Sequence, residues 1–308
     1  MIKGYINLDG EIIHTADYII ADRFYEDYAL VQTENGFNHL NLQFLSPYQK
    51  YKWLTRFYSG WAGFETFEGQ KGFLNYNHEQ MIFLKYDGFS RFSDEGLAVY
   101  SKDGLYGIIN SNGEKILNPT YTRIDPFSQE FAVVEVDSKC GYLNKEGEIV
   151  LPVIWEAALS FVNGLALVMQ QNYKFGCINL RGELVIPAIY SELGQYAEDR
   201  LFFKKGKKYG FLNGKGEVIL PALYDETDQF SNGLAPVKLK NKWGIINLNG
   251  DFVIEPKFDM ATRFVNGYSR IVFDNKLGLL KEDGEIKSYP QCRYVDYPYK
   301  GIISAILE

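Results

Sequence analysis

The stretch Tyr-Gly-Phe-Leu-Asn-Gly-Lys-Gly-Glu-Val-Ile-Leu-Pro-Ala-Leu-Tyr, residues 209–224, contains most of the pattern that decides the fold. Its first apolar residues, 210–212, predict a short strand. Asn213 and Gly216 then predict a hairpin turn, because an Asn side chain bonds the backbone two residues on and glycine accepts a positive φ. A second strand follows, and Pro221 is expected to end it, since proline cannot donate to a central ladder.

The same unit recurs along nearly the whole chain. Glycines followed by two apolar residues and usually by Asn lie at Gly4, Gly36, Gly72, Gly107, Gly141, Gly176, Gly210, Gly244 and Gly278. Their spacing is 32 to 36 residues, so nine units of about 34 residues account for nearly all of the 308. A fixed period of this length indicates a repeat architecture. It leaves no room for a separate catalytic domain.

Other positions of the unit recur with the glycine. The Asn and Gly of the turn recur at Asn7/Gly10, Asn110/Gly113, Asn144/Gly147, Asn179/Gly182 and Asn247/Gly250. The proline recurs at Pro119, Pro152, Pro187 and Pro256. A first aromatic lies at Tyr18, Tyr86, Tyr121, Trp155, Tyr190, Tyr224 and Phe258, and a second one six residues later, from Phe24 to Phe264. These aromatics are expected to form a core between neighbouring units, because one 34-residue unit cannot bury its own apolar face. A small apolar strand, such as residues 233–237, completes three strands per unit.

Composition narrows the class of protein. The chain is 46% hydrophobic, 23% charged and 16% aromatic, a globular balance that favours strands. A net charge of −7 and the lack of a basic stripe argue against nucleic-acid binding. We find no signal peptide and no apolar run long enough for a bilayer, and three distant cysteines form neither a disulfide framework nor a zinc motif. A cytoplasmic location is expected.

The residues Lys242-Trp243-Gly244-Ile245-Ile246-Asn247, followed by Gly250 and Pro256, resemble the WG repeat family of mainly bacterial proteins. The likeness is strong from Gly72 to Gly284 and weak before that. Only Trp243-Gly244 is a literal Trp-Gly, and the unit from Gly36 lacks both the Asn turn and the proline. The resemblance implies a β-repeat architecture with an interaction role, and it brings no catalytic residues.

The predicted fold is therefore all-β, with nine three-stranded units in an open, twisted β-solenoid whose ends are capped by degenerate units. A propeller-like closed ring is the alternative, although propellers typically have four to eight blades of four strands. Residues 1–71 are predicted to hold two degenerate units, residues 72–284 the regular units, and residues 285–308 the end of the last unit and a C-terminal cap.

An acidic residue seven positions after the marker glycine is the most regular polar feature. It lies at Glu11, Glu79, Glu114, Glu148, Glu183, Glu217, Asp251 and Glu285. Stacked units would align these carboxylates into a row that could attract a cationic partner or calcium. The simpler interpretation, which we favour, is a hydrophilic residue at the start of a solvent-edge strand. No known calcium-binding motif accompanies the row.

A second feature is the segment from Tyr48 to Phe67, where the repeat pattern is weakest. Its aromatic residues include Trp53, Phe57, Tyr58, Trp61 and Phe64. Such residues dominate binding hot spots and can stack on sugars or bases. They could equally fill the core or cap the array, and this structural interpretation is favoured. The segment is nevertheless our first choice for a specific contact surface.

The remaining reactive residues have structural interpretations. His78 occupies the place of a turn glycine, and His14 and His39 form no recognisable metal motif. Cys140 and Cys177 replace repeat positions and are expected to fill the core. The basic run at residues 204–208 is expected to be a solvated turn between two strands.

These observations favour a non-enzymatic scaffold that binds another protein, with no cofactor and no metal. An acidic protein of this kind could suit a basic partner, and an immunity or inhibitor protein that neutralises a bacterial toxin is a narrower version. A module that binds glycans or another small ligand through exposed aromatics such as Trp53 and Trp61 is a further alternative. An enzyme is disfavoured because no catalytic constellation is recognisable. Neither a nucleic acid nor a membrane is expected as a partner.

Overall fold

The computed structural model describes residues 2–46, 50–84 and 86–307, and for residues 80–84 it describes the backbone alone. The elements in this part of the chain are strands, which confirms the all-β prediction. They are β1 (Ile2–Asn7), β2 (Ile12–Thr15), β3 (Ile20–Tyr25), β4 (Tyr28–Thr33), β5 (Gly36–Asn41), β6 (Trp53–Leu54), β7 (Ala62–Glu65), β8 (Lys71–Leu74), β9 (Gln80–Leu84), β10 (Gly88–Phe89), β11 (Leu97–Lys102), β12 (Leu105–Asn110), β13 (Lys115–Tyr121), β14 (Arg123–Ile124), β15 (Ala132–Val136), β16 (Lys139–Leu143), β17 (Ile149–Trp155), β18 (Ala157–Ala158), β19 (Leu165–Met169), β20 (Phe175–Asn179), β21 (Leu184–Tyr190), β22 (Leu201–Lys205), β23 (Lys208–Leu212), β24 (Val218–Tyr224), β25 (Glu226–Thr227), β26 (Leu234–Leu239), β27 (Lys242–Asn247), β28 (Phe252–Phe258), β29 (Met260–Ala261), β30 (Tyr268–Phe273), β31 (Lys276–Lys281), β32 (Ile286–Ser288), β33 (Cys292–Val295) and β34 (Ile302–Leu307).

Within the described residues these strands form nine sheets. Their orders are β2-β1-β34-β33, β3-β4-β5, β6-β7-β8-β9, β10-β11-β12-β13, β14-β15-β16-β17, β18-β19-β20-β21, β22-β23-β24, β25-β26-β27-β28 and β29-β30-β31-β32. Most sheets have four strands, so the prediction of three strands per unit was wrong. The missed strand is usually the first one, which in sheets such as β25–β28 has only two residues. A two-residue strand is too short to show the alternation by which strands are recognised.

The chain divides into two compact units. The first unit holds residues 1–57, 64–70 and 224–308, and the second holds residues 58–63 and 71–223. The first unit therefore contains both ends of the chain.

In the first unit the two ends of the chain share one sheet. Strand β1 pairs with β34 in an unbroken antiparallel register, from Ile2 opposite Leu307 to Asn7 opposite Ile302. Segment 285–308, which was expected to cap the array, thus supplies β34 to a sheet completed by β1 and β2. An open solenoid keeps its first and last repeats apart. The preference for an open solenoid was therefore wrong, and the closed alternative agrees with this pairing.

The marker glycine is required by a close backbone contact. A Cβ atom at Gly210 would lie 2.5 Å from the carbonyl oxygen of Leu220, and one at Gly244 would lie 2.6 Å from that of Ile254. At this point the last strand of the sheet shifts its register against the glycine-bearing strand. Pro221 and the other four prolines lie inside these last strands rather than at their ends. The expectation that proline ends the strand was wrong, because edge strands and bulges tolerate it.

The second repeat has its marker position at Asn38, not at Gly36. Asn41 forms the expected turn, since its Oδ1 atom accepts hydrogen bonds from the backbone N–H groups of Gln43 and Leu45, each at 3.0 Å. The statement that this repeat lacks the Asn turn was therefore wrong. With Asn38 as the marker, the spacings to Gly4 and to Gly72 both become 34 residues.

The predicted core between neighbouring repeats is confirmed inside each unit. In the second unit, Trp155 and Phe161 lie in one buried cluster with Tyr142, and this cluster joins the sheets β14–β17 and β18–β21. In the first unit, Phe258 and Phe264 join the sheets β25–β28 and β29–β32 in the same way. Each aromatic pair therefore spans two sheets.

His78 has the turn role that its position predicted. Its φ is 58° and its backbone N–H donates to the Asn75 carbonyl at 2.9 Å. Burial lowers its pKa from the usual 6.5 to about 4, so the neutral ring is favoured in the folded state.

Acid is therefore expected to destabilise the protein partly through His78. The folded-state pKa lies below the unfolded one, so the stability contributed by the neutral ring is present above pH 6.5 and is lost as the pH falls towards 4. Replacing His78 with glycine keeps the positive φ and removes this titration. We expect the melting temperature of His78→Gly, relative to wild type, to increase as the pH is lowered from about 7.5 to about 5. A difference that stays constant with pH would show that His78 does not titrate in this way.

Candidate functional site

The acidic row is explained by the turn that each member belongs to. The Oδ1 atom of Asn213 accepts the N–H groups of Lys215 and Glu217, both at 3.0 Å, and its Nδ2 donates to Glu217 Oε2 at 2.7 Å. The same Asn-to-acid contact, at 2.7 to 3.3 Å, is made in the turns ending at Glu11, Glu79, Glu114, Glu148, Glu183 and Asp251. At Glu183 the hydrogen bond from Asn179 lowers the pKa of the carboxyl. This arrangement supports a turn role.

The last turn departs from this pattern. Lys281 replaces the Asn, and its Nζ lies 2.7 Å from Asp283 Oδ2 and 4.0 Å from Glu285 Oε2. In the described part of the chain, no group of three or more His, Cys, Asp or Glu side chains is arranged to hold a metal ion.

The aromatic segment contributes mainly to the core. Phe57 and Phe64 are fully buried, and the Phe57 ring lies 4.3 Å from the ring of His39. In the second unit, Trp61 is half-buried 5.4 Å from Phe92, and the Arg91 guanidinium lies 4.8 Å from the Tyr58 ring centroid.

Trp53 on β6 is the exception, with 40% of its surface exposed. Tyr48, the first residue of this segment, lies outside the described residues. Four of the five selected aromatics are therefore at least half-buried, and the segment presents less contact surface than its sequence suggests.

The other predicted structural residues lie as expected. Cys140, Cys177 and Cys292 are free thiols buried in the core, and burial raises the pKa of Cys177 to about 12. The basic run forms the hairpin between β22 and β23, where Lys204 Nζ is 3.1 Å from Glu192 Oε2.

A lysine two residues before the marker glycine forms an ion pair that was not predicted from the sequence. Lys242 Nζ lies 2.6 Å from Asp259 Oδ1, and Lys139 Nζ lies 2.5 Å from Glu156 Oε1. Each acid follows its lysine by 17 residues, directly after the last strand of the sheet. This regular spacing was available in the sequence. The pair ties the end of that strand to the preceding hairpin.

An exposed apolar surface in the second unit was also missed. The residue before the first aromatic is Ile154 on β17, Ile189 on β21 and Leu223 on β24, and these side chains are 54%, 65% and 58% exposed. The equivalent residues of β13 and β28 are Thr120 and Lys257. The last strands of three successive sheets thus present large apolar side chains where Thr120 and Lys257 are polar.

A lengthened hairpin lies beside Ile154 and beside the strand that carries Ile189. Residues 170–174 connect β19 to β20, where the hairpin from β15 to β16 has only two connecting residues. Tyr173 at its tip is 73% exposed, and Asn172 Nδ2 donates to the Ala188 carbonyl at 3.5 Å. We call Ile154, Tyr173, Ile189 and Leu223 the hairpin patch.

A shallow groove of about 360 Å³ adjoins the hairpin patch and is lined by Ile154, Trp155, Gln170, Gln171 and Asn172. The sequence signal for this hairpin was one additional residue, since Gly176 follows Gly141 by 35 residues where the usual spacing is 34.

The family model for the WG containing repeat matches residues 4–37, 72–106, 106–140, 141–174, 175–209, 209–243 and 243–276. These seven matches cover most of the chain. The chain is a WG repeat protein. The matches leave out residues 38–71, which hold the repeat marked by Asn38, and the residues after 276, which include β34.

Among solved structures, this WG repeat protein is similar to a eukaryotic initiation factor, with a TM-score of 0.60 and 9% identity over 89% of this chain and 88% of the other. BamB from Moraxella catarrhalis gives a TM-score of 0.46 and 10% identity, over 99% of this chain and 96% of the other. At such identities the likeness concerns the fold alone. No curated protein matches the sequence significantly. The described residues include no helix that could span a membrane.

Proposed function

We propose that this WG repeat protein is a non-enzymatic scaffold that binds another protein through the hairpin patch. The proposal includes a closed arrangement in which the nine sheets are the blades of a β-propeller. The pairing of β1 with β34, the four-stranded sheets and the similarity at a TM-score of 0.60 support the propeller.

The exposure of the hairpin patch is the observation that carries the binding proposal. Isolated exposed apolar residues are ordinary, but large apolar side chains exposed on three successive sheets, together with an exposed tyrosine in a hairpin of the middle sheet, are typical of protein contact sites. Tyr173 offers a large, stiff side chain whose ordering on binding costs little entropy. The protein's net charge of −7 favours a basic partner by long-range attraction. The immunity or inhibitor function is a narrower form of this proposal.

The patch is tested by affinity capture from lysate of the native organism, followed by mass spectrometry. The bait is wild type or the double variant Tyr173→Ser/Ile189→Ser. A matched control is Ile12→Ser, because Ile12 is 60% exposed on β2 in the other unit. We expect a partner retained by wild type and by Ile12→Ser to be reduced at least about tenfold with the double variant, as loss of hot-spot residues predicts. Equal capture by all three folded baits would rule out the patch as the contact.

A glycan is a second candidate ligand, favoured by the groove beside the hairpin. The groove is lined by Ile154, by the largely buried Trp155 and by the amide-bearing side chains of Gln170, Gln171 and Asn172. Apolar surface with a few amide groups is a common way to bind a polar small molecule. Titration of a glycan panel should then change tryptophan fluorescence, and Gln171→Ala should weaken the response. A panel without any saturable change would remove this candidate.

A further inference from the structure

The sheet β2-β1-β34-β33 has an open edge at β2. Strand β2 follows the strand that carries the marker Gly4 and, among the described strands, it pairs with β1 alone. Such an edge is a template for pairing with another chain, and proline protects it because proline has no N–H to donate. The corresponding strands of five other sheets contain that proline, whereas β2 reads Ile-Ile-His-Thr over Ile12–Thr15. The five are β13, β17, β21, β24 and β28.

The exposed Thr15 occupies the place of the missing proline. The carbonyl that faces the marker glycine belongs to His14 in this sheet and to Ile186 in the sheet β18–β21, and its oxygen lies 2.5 Å from an added Cβ in both. The residue that follows this carbonyl is Thr15 in the first case and Pro187 in the second. Strand β21 pairs with β20 although Pro187 has no N–H. The pairing of β2 with β1 therefore does not need the N–H of Thr15, and we expect this group to face the open edge.

Two other strands at this place in their sheets also lack proline. Strand β32 has only three residues, and the chain turns inward after it, because Tyr289 is buried and its hydroxyl donates to the Leu8 carbonyl at 2.9 Å. For β9 the structure describes the backbone alone. Among the strands at this place whose side chains are described, β2 therefore has the longest unprotected edge.

The charges beside β2 indicate which kind of segment fits this edge. Glu11 precedes the strand and Asp17 follows it, and both side chains are exposed. Within the described residues neither of them forms an ion pair. The cations on the neighbouring strands are already engaged, since Lys3 Nζ donates to a backbone carbonyl and Lys287 Nζ lies 2.9 Å from Asp9 Oδ1. An incoming strand therefore meets a negative charge at both ends of β2.

We propose that β2 binds an extended peptide with basic ends, which adds a fifth strand to the sheet. Backbone hydrogen bonds supply the affinity, and lysine or arginine at the ends of the peptide faces Glu11 and Asp17. Ile12 and Ile13 are 60% and 40% exposed and give β-branched side chains of the peptide an apolar surface. A strand of four residues offers far less area than the roughly 800 Å² per partner of a stable protein interface, which favours a short peptide over a second copy of the chain. The site is independent of the hairpin patch, which lies in the other unit.

The test is the fluorescence anisotropy of a labelled synthetic peptide, acetyl-KVTVTVK-amide, titrated with the full chain at low ionic strength. We expect saturable binding by wild type, weakened at least about tenfold by Thr15→Pro, because proline removes the donor and its ring obstructs the edge. The matched control is Thr15→Val, which keeps the N–H and should bind within about twofold of wild type. The peptide acetyl-EVTVTVE-amide should bind wild type at least about tenfold more weakly than the lysine peptide, since its charges repel those beside β2.

Thr15→Pro is expected to fold, because Pro152, Pro187 and Pro221 occupy the same place in other sheets. Circular dichroism and thermal unfolding check this before titration. Asp17→Lys changes an exposed residue outside the strand, and it should reduce the preference for the lysine peptide over the glutamate peptide at least about threefold.

Two results would overturn the proposal directly: no saturable binding of the lysine peptide to wild type, or equal binding of it by wild type and folded Thr15→Pro. Light scattering of the chain alone gives a third readout. A homodimer that Thr15→Pro dissociates would also overturn the proposal, because a second copy of the chain would then occupy the edge.

Discussion

Replacing Gly244 with alanine is expected to lower the free energy of unfolding by about 3 kcal/mol, at the upper end of overpacking substitutions. The added Cβ would lie 2.6 Å from the Ile254 carbonyl oxygen and 2.9 Å from the nitrogen of Pro256. Both atoms belong to the backbone of the adjacent strand, so the clash cannot be relieved by rotation of a side chain. Relief requires β27 and β28 to separate, with loss of their hydrogen bonds. Denaturant titration measures the effect.

The control for this prediction is Asn38→Ala, at the equivalent position of the second repeat. This position already carries a Cβ atom, and its side-chain Oδ1 accepts the His39 N–H at 2.8 Å. We expect a loss of about 1 kcal/mol, the contribution of one hydrogen bond. If Gly244→Ala were as mild as Asn38→Ala, close strand approach would not be the reason for the repeated glycine.

Replacing Tyr5 with alanine is expected to destabilise the protein by about 4 kcal/mol, as large cavities left by aromatic side chains do. Tyr5 is fully buried on β1, with ring centroids at 5.2 Å to Phe24 and 5.5 Å to Phe44, and its hydroxyl donates to the Asp22 carbonyl at 2.9 Å. Removing the ring opens a cavity beside the strand that pairs with β34. Denaturant titration again gives the measurement.

Two companion variants separate the contributions to this effect. Tyr5→Phe keeps the ring and removes the hydroxyl, so it should lose about 1 kcal/mol. Tyr25→Ala changes a tyrosine that is 40% exposed and should alter stability by about 0.5 kcal/mol or less. A small effect of Tyr5→Ala would mean that the N-terminal strand is not an integral part of the core.

The repeat itself could be predicted because its physical requirements fall on single residues. Gly210 marks a close strand crossing, Asn213 marks a turn, and Phe161 marks the buried contact with a neighbouring repeat. Each requirement restricts the residue type wherever it recurs, so the period is readable in one sequence. The same logic misled at Gly36, because a glycine near the expected spacing was taken as the marker while Asn38 had the equivalent position.

The remaining features depend on pairing or exposure, which a repeat pattern does not encode. Strands of two residues, such as β25, have no periodicity, and the pairing of β1 with β34 joins residues about 300 positions apart. The hairpin patch consists of ordinary strand residues such as Ile189, which become notable only when their exposure is known. Phe57 and Phe64 show the opposite case. Their residue type is typical of binding hot spots, but both side chains are buried in the structure.

Hydrogen exchange of the β1 amides is the most direct test of the closed arrangement. Because β1 lies between β2 and β34, the amides of residues 3–6 should exchange as slowly as those of an interior strand such as β16, which lies between β15 and β17. They would then open only with global unfolding. If residues 3–6 exchanged as rapidly as exposed turn amides while β16 stayed protected, the ends of the chain would not be joined, and the account of a closed scaffold would be contradicted.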